Sequence, residues 1–203
     1  MKKVSLLLLG FIFSFSSYAQ TNEMQSSKGR IGITFSSFGE NDVIRFQSLD
    51  GEASYNSDKF YTFGINYLYK LNNTFDFETS LEYSKHKIIV KPNVPPDADG
   101  TPYGAEFSLI SIPTALRINF LKYCFVNGGL NLDIDPTVSS PVDSQNGIGA
   151  LLGFGLKYDT HFGLSAFVNP YLKAHSLISF SAGENHQRLM ETGFRFGVMY
   201  KLK

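Results

Sequence analysis

Residues 75–83 read Phe-Asp-Phe-Glu-Thr-Ser-Leu-Glu-Tyr. Phe75, Phe77, Leu81 and Tyr83, with Thr79 in phase, alternate strictly with Asp76, Glu78, Ser80 and Glu82. A period of two belongs to an extended strand, whose successive side chains point to opposite faces. One face of this strand is apolar and partly aromatic, while the other carries three carboxylates. Such a strand has to divide two very different media.

The same alternation recurs in about eight stretches. Residues 29–39 set Ile31, Ile33 and Phe35 against Arg30, Gly32 and Thr34. Residues 59–70 set Tyr61, Phe63, Ile65, Tyr67 and Tyr69 against Thr62, Gly64 and Asn66. The third stretch runs from Phe75 to about Val90. The fourth, 105–120, opposes Ile112, Leu116, Ile118 and Phe120 to Ser111, Arg117 and Asn119. Pro113 inside it lacks an N–H for the ladder and predicts a bulge or a local break. Residues 123–134 separate Cys124, Val126, Leu130 and Leu132 from Asn127, Gly129, Asn131 and Asp133, and 148–158 do the same for Ile148, Leu152, Phe154 and Leu156 against Gly149, Gly153, Gly155 and Lys157. The seventh stretch, 162–175, is the least regular. In the eighth, Phe194, Phe196, Val198 and Tyr200 oppose Gly193, Arg195, Gly197 and Met199.

The connections are alternately long and short. Residues 40–58, 92–104, 135–147 and 176–188 are long, polar or rich in Gly and Pro, whereas 71–74, 121–122 and 159–161 are short. Asn72 and Asn73 suit a short turn because asparagine tolerates left-handed backbone. This rhythm predicts an all-β fold: a single closed, antiparallel, up-and-down transmembrane β-barrel of eight strands, with short periplasmic turns and longer outer loops.

The N-terminus predicts export. Lys2 and Lys3 precede an apolar run from Leu6 to Phe15 broken only by Gly10 and Ser14, and Ser17-Tyr18-Ala19 places small residues for cleavage between Ala19 and Gln20. The run is shorter than the ~20 residues that span a bilayer as a helix. The expected organisation is a signal peptide over 1–19, a flexible polar leader over 20–28 and the barrel over 29–203. Removing 1–19 takes away Lys2 and Lys3 and leaves 16 basic against 18 acidic residues, a net charge of −2. That balance, without a basic cluster, argues against nucleic acid as a partner. Cys124 is the one cysteine in the sequence, so no internal disulfide is expected. The thiol reads as buried and unpaired.

Alternation alone leaves inside and outside undecided, since a soluble barrel alternates with its apolar face inward. Three features favour the inverted arrangement. The polar face is rich in glycine and small residues, as a narrow eight-stranded lumen requires. It also carries both charge signs, in Asp76, Glu78, Glu82, Arg117, Lys157 and Arg195. Finally, aromatic residues gather where strands meet the short turns: Tyr67, Tyr69, Phe75 and Phe77; Phe120, Tyr123 and Phe125; Tyr158 and Phe162; and Tyr200. Rings repeated at one level read as an interfacial girdle. The charges are expected to form a salt-bridged plug centred on Arg117 with Glu78 or Glu82, because an unpartnered buried charge carries a desolvation penalty of several kcal/mol.

Residues 109–117, Leu-Ile-Ser-Ile-Pro-Thr-Ala-Leu-Arg, resemble the Leu-x-x-Ile-Pro, three residues, basic signature of PorT-like outer-membrane β-barrel proteins. The glycine-rich segment 147–158 and the aromatic closing strand resemble that family too. The chain ends Tyr200-Lys201-Leu202-Lys203 rather than on the aromatic residue with which such barrels often end. The resemblance implies an integral outer-membrane barrel and no defined substrate; some relatives take part in protein secretion.

Catalysis has no motif behind it. Among His86, His161, His175 and His186, a Ser/His/Asp set can be drawn from His175 or His186 with Ser176 or Ser181 and Asp143, but no nucleophile-elbow context supports it. The histidines are expected in solvated rim and loop positions. No His or Cys pair has metal-ligand spacing, and no cofactor is expected. The expected function is therefore non-enzymatic: a monomeric outer-membrane barrel, inserted by the barrel-assembly machinery into outer-membrane lipid, that binds or scaffolds an extracellular or envelope ligand through its four longer loops. A porin, a transporter or a secretion-associated barrel is the contrasting expectation, and a lipid-modifying or hydrolytic enzyme a third.

Overall fold

Eight antiparallel strands form a closed ring in the computed structural model, which describes residues 29–44, 54–93, 100–137, 142–180 and 186–202. They are β1 (Gly29–Ile44), β2 (Ser54–Lys70), β3 (Phe75–Lys91), β4 (Tyr103–Phe120), β5 (Cys124–Ile134), β6 (Gly147–Asp159), β7 (Leu164–Ser179) and β8 (Arg188–Lys201). Each strand pairs with its neighbours in sequence, and β1 pairs with β8 from Arg30↔Lys201 to Ile44↔Arg188 to close the ring. The expected signal peptide, its Ala19–Gln20 cleavage junction and the expected leader lie outside the described residues.

The barrel is inverted relative to a soluble one. Ile33 is 64% exposed on its outer wall and Leu152 64%, while inward Glu78 and Glu82 are each 2% exposed. Phe63, Ile65, Leu81, Leu130, Phe154, Phe196 and Val198 stand on the same outer wall. On β4 the outward series runs from Ile110 through Ile112, Leu116 and Ile118 to Phe120, which at ~3.3 Å per residue and a tilt near 40° makes an apolar band about 25 Å tall.

Three expectations about the elements need correction, and one is narrowed. The loops are shorter than their polarity implied: β1 continues to Ile44, β2 begins at Ser54, β4 at Tyr103 and β6 at Gly147, while β7 runs on to Ser179. Glu40, Asp42, Asn56 and Lys87 are strand residues turned to water, so polarity there marks the outer face and not the end of the ladder. Of the two outcomes expected at Pro113 the structure shows the local break: β3 and β4 pair at Thr79↔Thr114 and again at Glu82↔Ser111 in unchanged register, with the two positions between them unpaired. The turn after β2 uses Asn72 through its side chain, whose Oδ1 accepts from the N–H of Thr74 and of Phe75, both at 2.8 Å. Left-handed backbone occurs instead at Leu121 (φ 56°) and Gly163 (φ 91°) in the other two short turns.

The third correction is Phe125. It is not a girdle ring but a fully buried one that points into the barrel with Leu68, Phe167 and Met199. Inward glycines make the room: a Cβ on Gly155 would fall 2.1 Å from the Phe125 ring, and one on Gly197 2.3 Å from Phe167. Strand seven is irregular for a physical reason. Its register with β6 shifts between Ile148 and Ala150, and Ser176 takes a left-handed φ of 47°. His175 and Ser176, adjacent in sequence, consequently both face inward.

Candidate functional site: a layered lumen

The interior is filled in layers. At the short-turn end Arg30 pairs with Asp159 and donates to Ser165. Beside it Lys157 donates to Asn119 Oδ1 at 2.5 Å, and Asn119 donates to Asp76 at 2.7 Å. These groups rim a polar recess of about 100 Å³. Above it lies the apolar floor of Leu68, Phe125, Phe167 and Met199.

The main ion pairs rest on that floor. Arg117 donates to Glu78 Oε2 through Nε at 3.0 Å and Nη2 at 2.8 Å. Its guanidinium also lies 4.0 Å from the centre of the Phe125 ring and 4.9 Å from that of Phe167, so an aromatic face covers the cation. Arg195 reaches Glu78 Oε1 at 2.9 Å and donates to Asn169 at 2.8 Å. Lys173 donates to Glu82 at 2.6 Å, and Ser80 donates to the other Glu82 oxygen at 2.9 Å. Of the two partners weighed for Arg117 the geometry selects Glu78; Glu82 belongs to Lys173 and, at 3.9 Å, to Arg195. Lys157 and Asp76 sit apart from this cluster, at the recess.

A second set of ionisable groups fills the next layer. His175 Nδ1 lies 3.0 Å from Asp133 Oδ1, and its Nε2 lies 3.8 Å from Glu191 Oε2. A carboxylate thus faces each ring nitrogen, the Asp133 one at hydrogen-bond distance and the Glu191 one beyond it. Asp133 further accepts from Ser111 and Asn131, each at 2.6 Å. Tyr171 donates its hydroxyl to Glu191, and His86 Nε2 stands 3.4 Å from the same carboxylate. The His86 ring is sandwiched between Phe60 and Phe107, with centroids 5.8 and 5.2 Å away.

The long-connection end is sealed by an apolar cluster of Ile88, Val90, Phe107, Leu109, Val142 and Leu189. Gln145 fastens the segment that carries Val142 to the start of β8. It donates to the Gln187 carbonyl at 2.9 Å and accepts from the Leu189 N–H at 2.9 Å. Asp143 and Gln187 exchange two further bonds, at 2.9 and 3.2 Å.

The structure brings Asp76, Glu78, Glu82, Arg117 and Arg195 inside, with Lys157 half-buried. The lumen also holds Asp133, Lys173, His86, His175 and Glu191, which the sequence reading did not place in the plug. His86, His175 and His186 are buried, against the expectation of solvated positions, and only His161 stands exposed in a turn. The phase of the strands carries the missing signal: His86 continues the series Asp76, Glu78, Glu82, and Glu191 continues Arg195 and Gly193. The Ser/His/Asp selection does converge, with Ser176 Oγ 3.5 Å from His186 Nε2 and His186 Nδ1 3.8 Å from Asp143. Here the serine is fully enclosed and the aspartate half-exposed, the reverse of what attack on a substrate needs. These contacts cross-link the cap to the wall. Enclosure holds the His186 imidazole below its usual basicity, against the pull of Asp143. Ser181 lies outside the described residues. No group of three or more His, Cys, Asp or Glu among the described residues is arranged to hold a metal ion.

No protein-family model and no curated protein matches this chain. The PorT-like resemblance thus stands on the sequence signature alone. Solved structures do match over most of its length. The outer membrane protein OprG from Pseudomonas aeruginosa is similar at 14% identity and a TM-score of 0.48, covering 88% of this chain and 97% of its own. The outer membrane protein AlkL is similar at 11% identity and a TM-score of 0.46, over 90% of this chain and 95% of its own. Ail, the attachment invasion locus protein of Yersinia pestis, is similar at 13% identity and a TM-score of 0.44, over 86% and 99%.

Proposed function

We propose that the chain is a small integral outer-membrane barrel, plugged by its own side chains, that works through its outer end as a surface-binding or envelope-scaffolding protein. The observation that carries this reading is the pairing of an apolar outer wall with a lumen filled from end to end. An exterior of Ile33, Phe63, Leu152 and Val198 has no place in water. Eight strands enclose a space that side chains can fill, and here ion pairs, stacked rings and an apolar cap fill it. The short turns lie on the periplasmic side and the longer connections outside. The barrel is a monomer that reaches its bilayer through the assembly machinery, and its role is non-enzymatic.

The test is electrical and topological together. Refolded protein in a planar bilayer is expected to give no steady, defined conductance. Single cysteines at Asp50 and Asp97, in a Cys124→Ser background, are expected to label in intact cells, while one at Asn73 is expected to stay protected. A stable unitary conductance overturns the plug in favour of a porin, and labelling confined to Asn73 overturns the orientation.

A further inference from the structure

Two aromatic residues on the outer wall are drawn apart. Phe63 and Tyr83 are cross-strand partners on β2 and β3, so their side chains would be expected to meet. Instead the Phe63 ring packs against Phe35 on β1, with centroids 5.2 Å apart, and the Tyr83 hydroxyl bonds Ser108 on β4 at 3.0 Å. Between them opens a groove of about 390 Å³, walled by Ile33, Phe63, Ile65, Leu81, Tyr83 and Ile110. Glu82 lies at its floor with its carboxylate turned inward to Lys173.

Directly beyond the groove, toward the long-connection end, the same strands turn basic. Lys85 is the cross-strand partner of Tyr61, and Lys87 that of Lys59. Lys91 follows on the outer face of β3. Among the described residues the acids on this part of the wall are Glu106, 2.5 Å from Lys85, and Asp58, 3.4 Å from Lys87. Four lysines against two carboxylates give the described outer ends of β2 to β4 a positive balance. Glu40 and Asp42 lie on β1 where it pairs with β8. An ammonium has three donors, so one carboxylate partner leaves Lys85 and Lys87 able to hold an anion as well.

We infer that this face is a binding site for one anionic lipid of the surrounding leaflet, with an acyl chain in the groove and the phosphate held by Lys85 and Lys87. The inference rests on the membrane reading above. It follows from an apolar groove open to the hydrocarbon and a cationic cluster one step above its aromatic rim. Lysines at that height meet the headgroup layer, where each attracts anionic lipid.

The test is native mass spectrometry of the full mature chain in detergent, titrated with dioleoylphosphatidylglycerol or with dioleoylphosphatidylcholine, which carry the same acyl chains. One phosphatidylglycerol should be retained at least about fivefold more strongly than phosphatidylcholine. The double variant Lys85→Gln, Lys87→Gln should lose that preference, and Lys122→Gln at the opposite end should keep it. Leu81→Trp, which fills the groove from an outward position, should weaken retention of both lipids. Equal retention of the two lipids overturns the inference, as does a preference that survives the double lysine variant. Separately, the protein is mixed with preformed vesicles and floated on a density gradient. Failure to insert overturns the membrane reading itself, whereas insertion without lipid preference overturns only this site.

Discussion

Along β3 the barrel turns itself inside out. In its first half the outward residues are Phe77, Leu81 and Tyr83 and the inward ones Asp76, Glu78 and Glu82; in its second half Lys85, Lys87 and Lys91 face outward and Ile88 and Val90 inward. The change falls at His86, whose ring is held between Phe60 and Phe107. One strand, in one unbroken alternation, therefore serves two solvents. Near the short turns the polar groups are enclosed and must satisfy one another. Near the long connections the apolar groups are enclosed, and the hydrophobic effect holds the wall together as in a water-soluble protein. The two halves should therefore respond differently to the same kind of damage.

The largest effect is expected in the polar half. Arg117→Ala removes both bonds to Glu78 Oε2 and should destabilise the barrel by about 3–5 kcal/mol, as for other broken buried pairs. Adding Glu78→Gln should restore part of that loss, although Arg195 is then left without one partner. Urea unfolding of the single and double variants in vesicles measures both steps. If the double variant is no more stable than the single one, the charge pairing does not hold this half together.

Leu109→Ala tests the apolar half. It empties part of the cluster with Phe107 and Leu189 and should cost about 2–5 kcal/mol. Because this cluster lies beyond the apolar band, the loss should be the same in thick and thin bilayers. A loss that tracks bilayer thickness would place the cap within the membrane.

On the lipid-facing wall, Leu152→Arg should cost about 2–4 kcal/mol near the bilayer midplane. Detergent, which lets water approach the wall, should shrink this cost, while leaving that of Leu109→Ala unchanged. Equal costs in both media would mean that Leu152 does not face hydrocarbon.

The smallest effect belongs to the cap fastening. Gln145→Ala leaves the Gln187 carbonyl and the Leu189 N–H without their partner, for about 1–3 kcal/mol. Hydrogen exchange should rise at Leu189 and leave the amides of β5 and β6 protected. Uniformly faster exchange around the ring would show that the cap and the barrel open as one unit.

The faces of the strands were legible because a period of two survives any uncertainty about where a strand ends. Ile65, Leu81, Leu152 and Val198 could be placed outside and Glu78, Glu82 and Arg117 inside from phase alone. Strand ends were less legible, since Glu40, Asp42 and Asn56 look the same in a loop and on the water-facing side of a strand that leaves the membrane. The histidine layer was hidden for a related reason. His86 and Glu191 are in phase with the inward series, but they lie beyond the stretch where polar means inside. Phe125 and Phe167 run against the pattern altogether, since nothing in an aromatic side chain announces that the glycine paired with it on the next strand, Gly155 or Gly197, leaves it room. The bulge at Ser176 puts two consecutive residues inside, which no alternating template contains.

The placement of the lumen charges along the chain also bears on how the ring is put together. On β3 and β4 three inward carboxylates meet one inward arginine, and Lys173 and Arg195, which pair with Glu82 and Glu78, arrive only with β7 and β8. A growing sheet made of the early strands is thus electrically unfinished, and the late strands carry the counter-charges that complete it. Glu78 gains its second partner, Arg195, only when β8 is in place, so completing that ion pair and closing the seam between β1 and β8 go together, and the contents of the barrel help its last stave to lock.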